Sequence, residues 1–400
     1  MNTDILIIGG GASGLTAAVC ARDANPGCRI TVAEKLPRPG KKLLATGNGR
    51  CNLMNENAAP GDYLGDADFI RPALEGYRRD YAAFWDRLGL ELKSEEEGRI
   101  YPACNQASAV LDVLRLGLRD RNIDLRTECP VTRLGFDRGM FTAVCPEEEI
   151  RARRVILATG GKAGKGLGEN DSFQTLAGPL GHRVIRPRPA LTCLKVPKDC
   201  VAGLKGIRLR GRIRLMDGET TLWTETGEVL FQEDGISGIA AMQLSLRLPD
   251  AKKPAAELSV VAEGAAEKLL SRRQRFRVRR NEELLTGLVN RMIALSALKR
   301  CGIDPAGNVG NLTDRELERL AETLSRWRIP ITGTGDFASA QVMIGGLDTR
   351  QFDPERLESK SVPGFFACGE ALNVTGPCGG YNLEWAWAGG MLAGRKAAEL

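Results

Sequence analysis

Gly9, Gly11 and Gly14 stand in a G-x-G-x-x-G spacing, and Glu34 follows twenty residues after the last of them. These residue types at these distances can hold a dinucleotide. The first glycine permits a tight turn, the second lets backbone approach a pyrophosphate, and the third lets a helix pack closely on a strand. Ala12 and Ser13 lie inside the loop, where a helix N-terminus offers N–H donors and a partial positive charge to phosphate. Glu34 would accept hydrogen bonds from a ribose. A 2′-phosphate would be repelled there, which argues against NADP at this loop and leaves FAD and NAD open.

A spacing alone is weak, so the elements that must position it carry the weight. Asp4 to Ile8 is a short aliphatic run leading straight into the glycines. Leu15 to Ala24 has the apolar spacing of a helix and ends before Pro26 and Gly27, and Ile30 to Ala33 reads as a second buried strand. Strand, glycine loop, helix, strand and terminal acid are all in place.

Further on, IDLRT, PVTRLGF and MFTAV are short β-prone runs with turns at 137–139 and 146–149, the pattern of a β-meander. A strand at Val155 to Ala158 then stops at Thr159, Gly160 and Gly161. Those glycines would let the chain pass close to a cofactor, although taken alone the stretch reads better as a plain strand-end turn. Phe365 to Ala367 reads as another buried strand, followed by Gly369 and Glu370, an acid placed to hold a sugar-alcohol hydroxyl. Finally GPCGGYNLEWAWAGG starts a nearly all-apolar helix on a glycine turn, in which Trp385, Trp387, Met391 and Leu392 serve packing.

Composition narrows the classes. Four hundred residues exceed one hydrophobic core, so two or three domains are expected. Eleven scattered cysteines contain no Cys-x-x-Cys pair and His182 is the only histidine, which argues against a zinc site. An odd cysteine count without a signal-peptide pattern fits reduced thiols in a cytoplasm, and no apolar run has the length of a membrane span. The net charge of +6 is mild, hinting at anionic ligands without establishing nucleic-acid binding.

The GGGASG start, the ATGG strand end and the CGE-to-GGYN ending together resemble a two-dinucleotide-fold flavoprotein. More narrowly, GKKLLATGNGRCN, ISGI, AQVMIGG and GGYNLEWAW resemble the BaiN/YhiN-like family, which includes proteins described as aminoacetone oxidases. The resemblance is dense at both ends of the chain and thin between about 245 and 330. It implies non-covalent FAD held by Gly9, Gly11, Ala12, Ser13 and Gly14, with Glu34 on the adenosine ribose and Lys35 beside it. It implies Lys41 and Lys42 as phosphate neighbours, Asn48 and Gly49 near the ring, and the backbone of Val131, on the strand after Pro130, at adenine. Thr159, Gly160 and Gly161 would lie along the cofactor, with Gly369 and Glu370 at the ribityl chain. Gly380, Tyr381, Asn382 and Leu383 would turn free helix N–H groups toward the pyrimidine end of the isoalloxazine, where reduction leaves negative charge.

The fold expected is α/β: a Rossmann-type FAD-binding domain split in sequence, an inserted β-rich substrate domain and a small helical subdomain. Residues 1–188 and 336–400 form the FAD domain, 189–252 plus 327–335 the β-rich domain, and 253–326 a helical cap. In the β-rich part Ile207, Leu209, Ile213 and Leu215 alternate with Arg208, Arg210, Arg212 and Arg214, a half-buried strand with one basic face. That face reads as solvated, with steering of an anionic substrate or NAD(P)H as the sharper alternative. AAEKLLSRRQ, NEELLTGLVNRMIALSAL and TDRELERLAETLSRW read as helices, and Thr313 with Glu316 as a capping box. The basic SRRQRFRVRR run reads as a solvated surface, with RNA contact as its rival.

No residue pair announces itself as acid and base. Where the family pattern carries a Thr-His pair before the GISG loop, this chain has Gln232 and Glu233, so that histidine's role does not carry over. Glu233 and Tyr381 remain as catalytic candidates. The function implied is an NAD(P)H-driven reduction of a conjugated, steroid- or bile-acid-like enone, with NAD(P)H binding transiently. The alternatives are an amine oxidase releasing hydrogen peroxide and a flavin-stabilised RNA-binding protein.

Overall fold

A computed structural model describes residues 1–261 and 263–399. The chain divides into two compact units, Met1–Pro189 with Phe337–Leu400, and Ala190–Asp336.

In the first unit, β1 (Asn2–Ile8), α1 (Ala12–Ala24) and β2 (Ile30–Ala33) follow one another directly. A long helix, α2 (Ala67–Arg87), precedes the short strands β3 (Asp124–Arg126), β4 (Arg133–Asp137), β5 (Met140–Val144) and β6 (Glu149–Leu157). Late in the chain come β7 (Phe365–Ala367) and α3 (Tyr381–Ala397). The sheet order is β3-β2-β1-β6-β5-β4, and β7 also pairs with β6. β1 lies parallel between β2 and β6, with Ile7 opposite Val32 on one side and Ile156 on the other.

One edge of β6 serves two neighbours in turn. Its first half alternates, with Ile150 and Ala152 buried and Glu149, Arg151 and Arg153 exposed, and it pairs antiparallel with β5. Its second half, Val155–Leu157, is buried throughout and pairs parallel with β7. A strand covered on both faces loses its alternation.

The sequence expectation needs correction at two points here. The IDLRT run is not part of the meander: β3 pairs parallel with β2, and only β4, β5 and β6 form the antiparallel set. Val131 does not lie on a strand; β4 begins at Arg133.

The second unit is built on an antiparallel sheet of seven strands, with Arg208–Asp217 paired to Thr220–Phe231 and to Pro254–Ser259. Arg208, Arg210 and Arg212 are exposed and Ile213 and Leu215 fully buried, so the alternation seen in the sequence is the pleat of this strand. Helices Ile239–Arg247, Ala265–Arg275, Arg291–Arg300 and Asp314–Ser325 contribute Leu244, Leu269, Ile293 and Leu320 to the core beside the sheet. Thr313 and Glu316 form the capping box of the last of these.

The stretch from 253 to 326 is therefore less helical than its composition indicates. Pro254–Ser259 is a strand paired on both edges, because burial between two neighbours overrides the helix preference of Ala-Ala-Glu. NEELLTGLV makes only a short 3-10 turn at Asn281–Glu283, and the left-handed Gly287 (φ +81°) breaks the run before Asn290 caps the next helix.

Candidate cofactor site

The loop after β1 is held by its own geometry. Gly9 adopts φ +111°, and a Cβ there would lie 2.4 Å from the Ala158 carbonyl oxygen. At Gly14 a Cβ would lie 1.9 Å from the Gly9 carbonyl oxygen, so α1 can sit this close to the loop only without a side chain. Gly11 is different: nothing lies within 4 Å of its Cβ position. The first intrahelical bond runs from Leu15 N to Gly11 O (3.0 Å), which leaves the N–H groups of Ala12, Ser13 and Gly14 without helical partners. Open space thus faces a set of free donors.

Glu34 is buried and receives N–H bonds from Gly10 (2.8 Å) and Leu36 (2.8 Å), one on each carboxylate oxygen. Each oxygen keeps a lone pair for a hydroxyl. The main chain of Glu34 is clamped on both sides, to Arg126 O and by Cys129 N. Val131 is half-buried two residues beyond that clamp. The Lys35 ammonium donates to the Glu169 carbonyl (3.1 Å).

The chain's other glycine segments converge on this loop. A Cβ at Gly161 would come 2.8 Å from the Met343 sulfur and 3.1 Å from the Glu370 carboxyl carbon. One at Gly369 would come 2.7 Å from the Ser13 hydroxyl. Glu370 accepts from Lys42 Nζ (2.7 Å) and from the Met343 N–H (3.0 Å). Gly160 has open space around it, and the Thr159 hydroxyl beside it is buried with no partner. Lys41, on the short helix Lys41–Leu44, and Asn48 and Gly49, on the turn Thr46–Gly49, are exposed, and Asn48 (φ 56°) and Gly49 (φ 85°) are both left-handed.

α3 packs against α1 through two more glycines. A Cβ at Gly390 would meet Ser13 O at 2.3 Å, and one at Gly394 would meet Ala17 O at 2.3 Å. Contacts that advance by four residues on both helices mean the helices run parallel. Tyr381 precedes Gly390 by nine residues while Ala12 precedes Ser13 by one, an offset of eight residues. At about 1.5 Å per residue, the N-terminus of α3 lies about 12 Å upstream of that of α1. Two positive helix ends therefore point the same way, staggered along one line.

At the upstream end Gly380 (φ +106°) caps α3, and the first helical bond is Glu384 N to Gly380 O (2.9 Å). The N–H groups of Tyr381, Asn382 and Leu383 have no helical partner. The Asn382 side chain is committed to folding the preceding loop, bonding Gly376 N (2.9 Å), Gly376 O (2.7 Å) and Pro377 O (3.2 Å). Tyr381 meets Tyr63 edge-on at 5.7 Å, and Tyr63 donates to the Tyr381 carbonyl (3.1 Å). Burial, helped by the nearby Asp62 and Glu384 carboxylates, raises the Tyr381 phenol above its usual range and keeps it protonated.

The sequence reading missed the charge behind this turn. Glu384 is fully buried and bonds Arg78 Nε at 2.7 Å, while Arg78 Nη2 bonds Asn55 O (3.1 Å). Burial pushes the Glu384 carboxyl up against the pull of Arg78, and the bond to Glu384 holds Arg78 firmly protonated despite its own burial. The signal was present in GGYNLEWAW, a carboxylate inside an apolar helix. Its partner lies 306 residues away and could not be paired from spacing. Glu233 belongs to the second unit, exposed between Lys205 (3.1 Å) and Lys198 (3.9 Å). The Lys205 bond holds its carboxyl below the usual range.

Residues 3–396 match the family described as HI0933-like protein Rossmann domain. The chain belongs to that family. It is 37% identical over 98% of both chains to a 3-dehydro-bile acid delta(4,6)-reductase of Clostridium scindens. It is also 27% identical to a ribosomal RNA dihydrouridine synthase of Escherichia coli, over 96% of this chain and 95% of that one. In fold it is similar to a 3-ketosteroid delta1-dehydrogenase of Sterolibacterium denitrificans (TM-score 0.54, 13% identity, 99% of each chain). It is likewise similar to an E. coli quinol fumarate reductase (TM-score 0.54, 19% identity, all of this chain and 70% of that one).

The protein is an FAD-dependent oxidoreductase with the Rossmann-type fold of its family. The cradle present fits FAD on its own terms: the open face at Gly11, the free donors of α1, the unpartnered Thr159 hydroxyl and the second helix end upstream. Among the described residues no helix is long and apolar enough to cross a membrane, and no group of three metal-ligating side chains occurs.

Proposed function

We propose that the protein reduces a conjugated enone of steroid or bile-acid type, with NAD(P)H as transient reductant. The observation that carries this reading is the 37% identity, end to end, with a bile-acid reductase. Bound FAD would supply the two-electron chemistry. The chain's part is to bind, orient and protonate. The α1 donors and Glu34 would hold the pyrophosphate and ribose, and Glu370, fixed by Lys42 and Met343 N, the ribityl hydroxyls. Saturating an enone adds a proton to the carbon next to the carbonyl. Tyr381, kept protonated by burial at the head of α3, is the candidate source.

A second reading has its own support. Two relatives are named ribosomal RNA dihydrouridine synthase, and the uracil double bond is conjugated to a carbonyl as an enone is. In the second unit Arg275 and Arg279 stack on Phe276, and Arg277 and Arg280 are exposed beside them.

Anaerobic mixing of the purified protein with NADH, NADPH or aminoacetone, followed through the flavin absorbance, tests these readings. Bleaching by a nicotinamide and recovery on adding a 3-keto-4-ene steroid supports the enone reductase. Recovery only with ribosomal RNA moves the assignment to uridine. Bleaching by aminoacetone alone, with peroxide formed on readmitting air, replaces both with an amine oxidase.

A further inference from the structure

Asn52 lies at the N-terminus of α3 and is only 8% exposed. Its Oδ1 is buried with no hydrogen-bond partner and would sit 2.9 Å from a Cβ at Gly380. The neighbouring backbone is fixed: Leu53 N donates to Ile100 O (2.8 Å), and Trp387 Nε1 of α3 donates to Leu53 O (3.0 Å). A buried acceptor left unpaired keeps its desolvation cost uncompensated, so a partner is missing.

The N–H groups of Tyr381, Asn382 and Leu383, which have no helical partner, begin at this same Gly380 turn. A phosphate or carboxylate would satisfy those donors but would set negative charge against the Asn52 oxygen. The set asks for a ligand edge that offers acceptors and a donor together. A cyclic imide has that edge, a carbonyl, an N–H and a second carbonyl, and the pyrimidine ring of a flavin carries one.

We propose that Asn52 Oδ1 accepts the imide N–H of the flavin while the first turn of α3 donates to a flanking carbonyl, so that this pair of elements fixes which edge of the ring enters. The inference rests on the reading that FAD lies along α1 and α3. It adds a recognition residue, Asn52, to the orientation that the family resemblance implies for the first turn of α3.

The test compares FAD with its analogue methylated at the imide nitrogen, each titrated into flavin-stripped protein and followed by fluorescence quenching. Wild type is expected to bind FAD at least about tenfold tighter than the analogue, since a site built around a hydrogen bond rejects a ligand lacking it. Asn52→Ala should lose about tenfold in FAD affinity and bind both flavins within a few-fold. Asn52→Asp, which keeps the acceptor, should keep the discrimination. Equal affinity of wild type for the two flavins overturns the proposal, as does undiminished discrimination in a natively folded Asn52→Ala. Failure of wild type to take up either flavin sinks the FAD reading itself, and this inference with it.

Discussion

Gly11 and Gly14 share a motif but not a task. A Cβ at Gly14 would collide with backbone at 1.9 Å, whereas at Gly11 it would enter open space, and Gly11 has an extended backbone (φ −85°) that alanine adopts freely. Gly11→Ala is therefore expected to change stability by less than about 1 kcal/mol while weakening FAD binding about tenfold or more. Urea unfolding of the flavin-stripped protein beside a flavin titration separates the two effects. Tyr381→Phe removes the phenolic proton but not the ring that meets Tyr63. Turnover should fall about 10²- to 10⁴-fold with flavin content unchanged; full turnover would place the proton source elsewhere. Arg78→Met would strand the buried Glu384 carboxylate, at an expected cost of about 3–5 kcal/mol in denaturant unfolding.

The two parallel helices are the elements on which the site depends. They approach this closely because Gly390 and Gly394 present no side chain to the backbone of α1. Gly394→Ala puts a methyl carbon 2.3 Å from Ala17 O, and backbone cannot yield as a side chain can. An overpacking cost of about 1–3 kcal/mol is expected, along with weaker FAD binding as α3 shifts against α1. Gly61→Ala, with nothing within 4 Å, is the control and should be silent in both measurements. In the sequence these two glycines read as ordinary members of an apolar helix. Their spacing of four marks one face, but nothing in the spacing says which helix that face meets.

At the scale of the molecule, the one histidine is a reporter. His182 is buried against Phe352 and Phe365, with Nε2 2.9 Å from the Ser359 hydroxyl and Nδ1 without a partner. Burial lowers its pKa below the ordinary 6.5. The unfolded chain then binds the proton more readily than the folded one. Stability is present in full above about 6.5 and falls as the pH drops below it. Since no other imidazole exists, a thermal melt from pH 8 to pH 5 should show a decline that His182→Gln flattens. A wild-type melting temperature constant over that range would contradict it.

Much of the first unit was legible because its signals are local. A strand, a glycine loop, a helix and a second strand occupy the first 34 residues, and each follows from short-range sterics and hydrophobic period. The Thr313–Glu316 cap was legible for the same reason, being closed within three residues. The strand at Pro254–Ser259 was not, since its Ala-Ala-Glu core prefers a helix and only pairing on both edges reverses that preference. Nor was the meeting of Asn52 with Gly380, or of Arg78 with Glu384, residues separated by more than 300 positions. The sequence by itself determined which segments could carry a dinucleotide and where their turns must be glycine. Only the tertiary structure decided which buried polar atoms face one another, because that depends on how distant elements pack and not on any spacing along the chain.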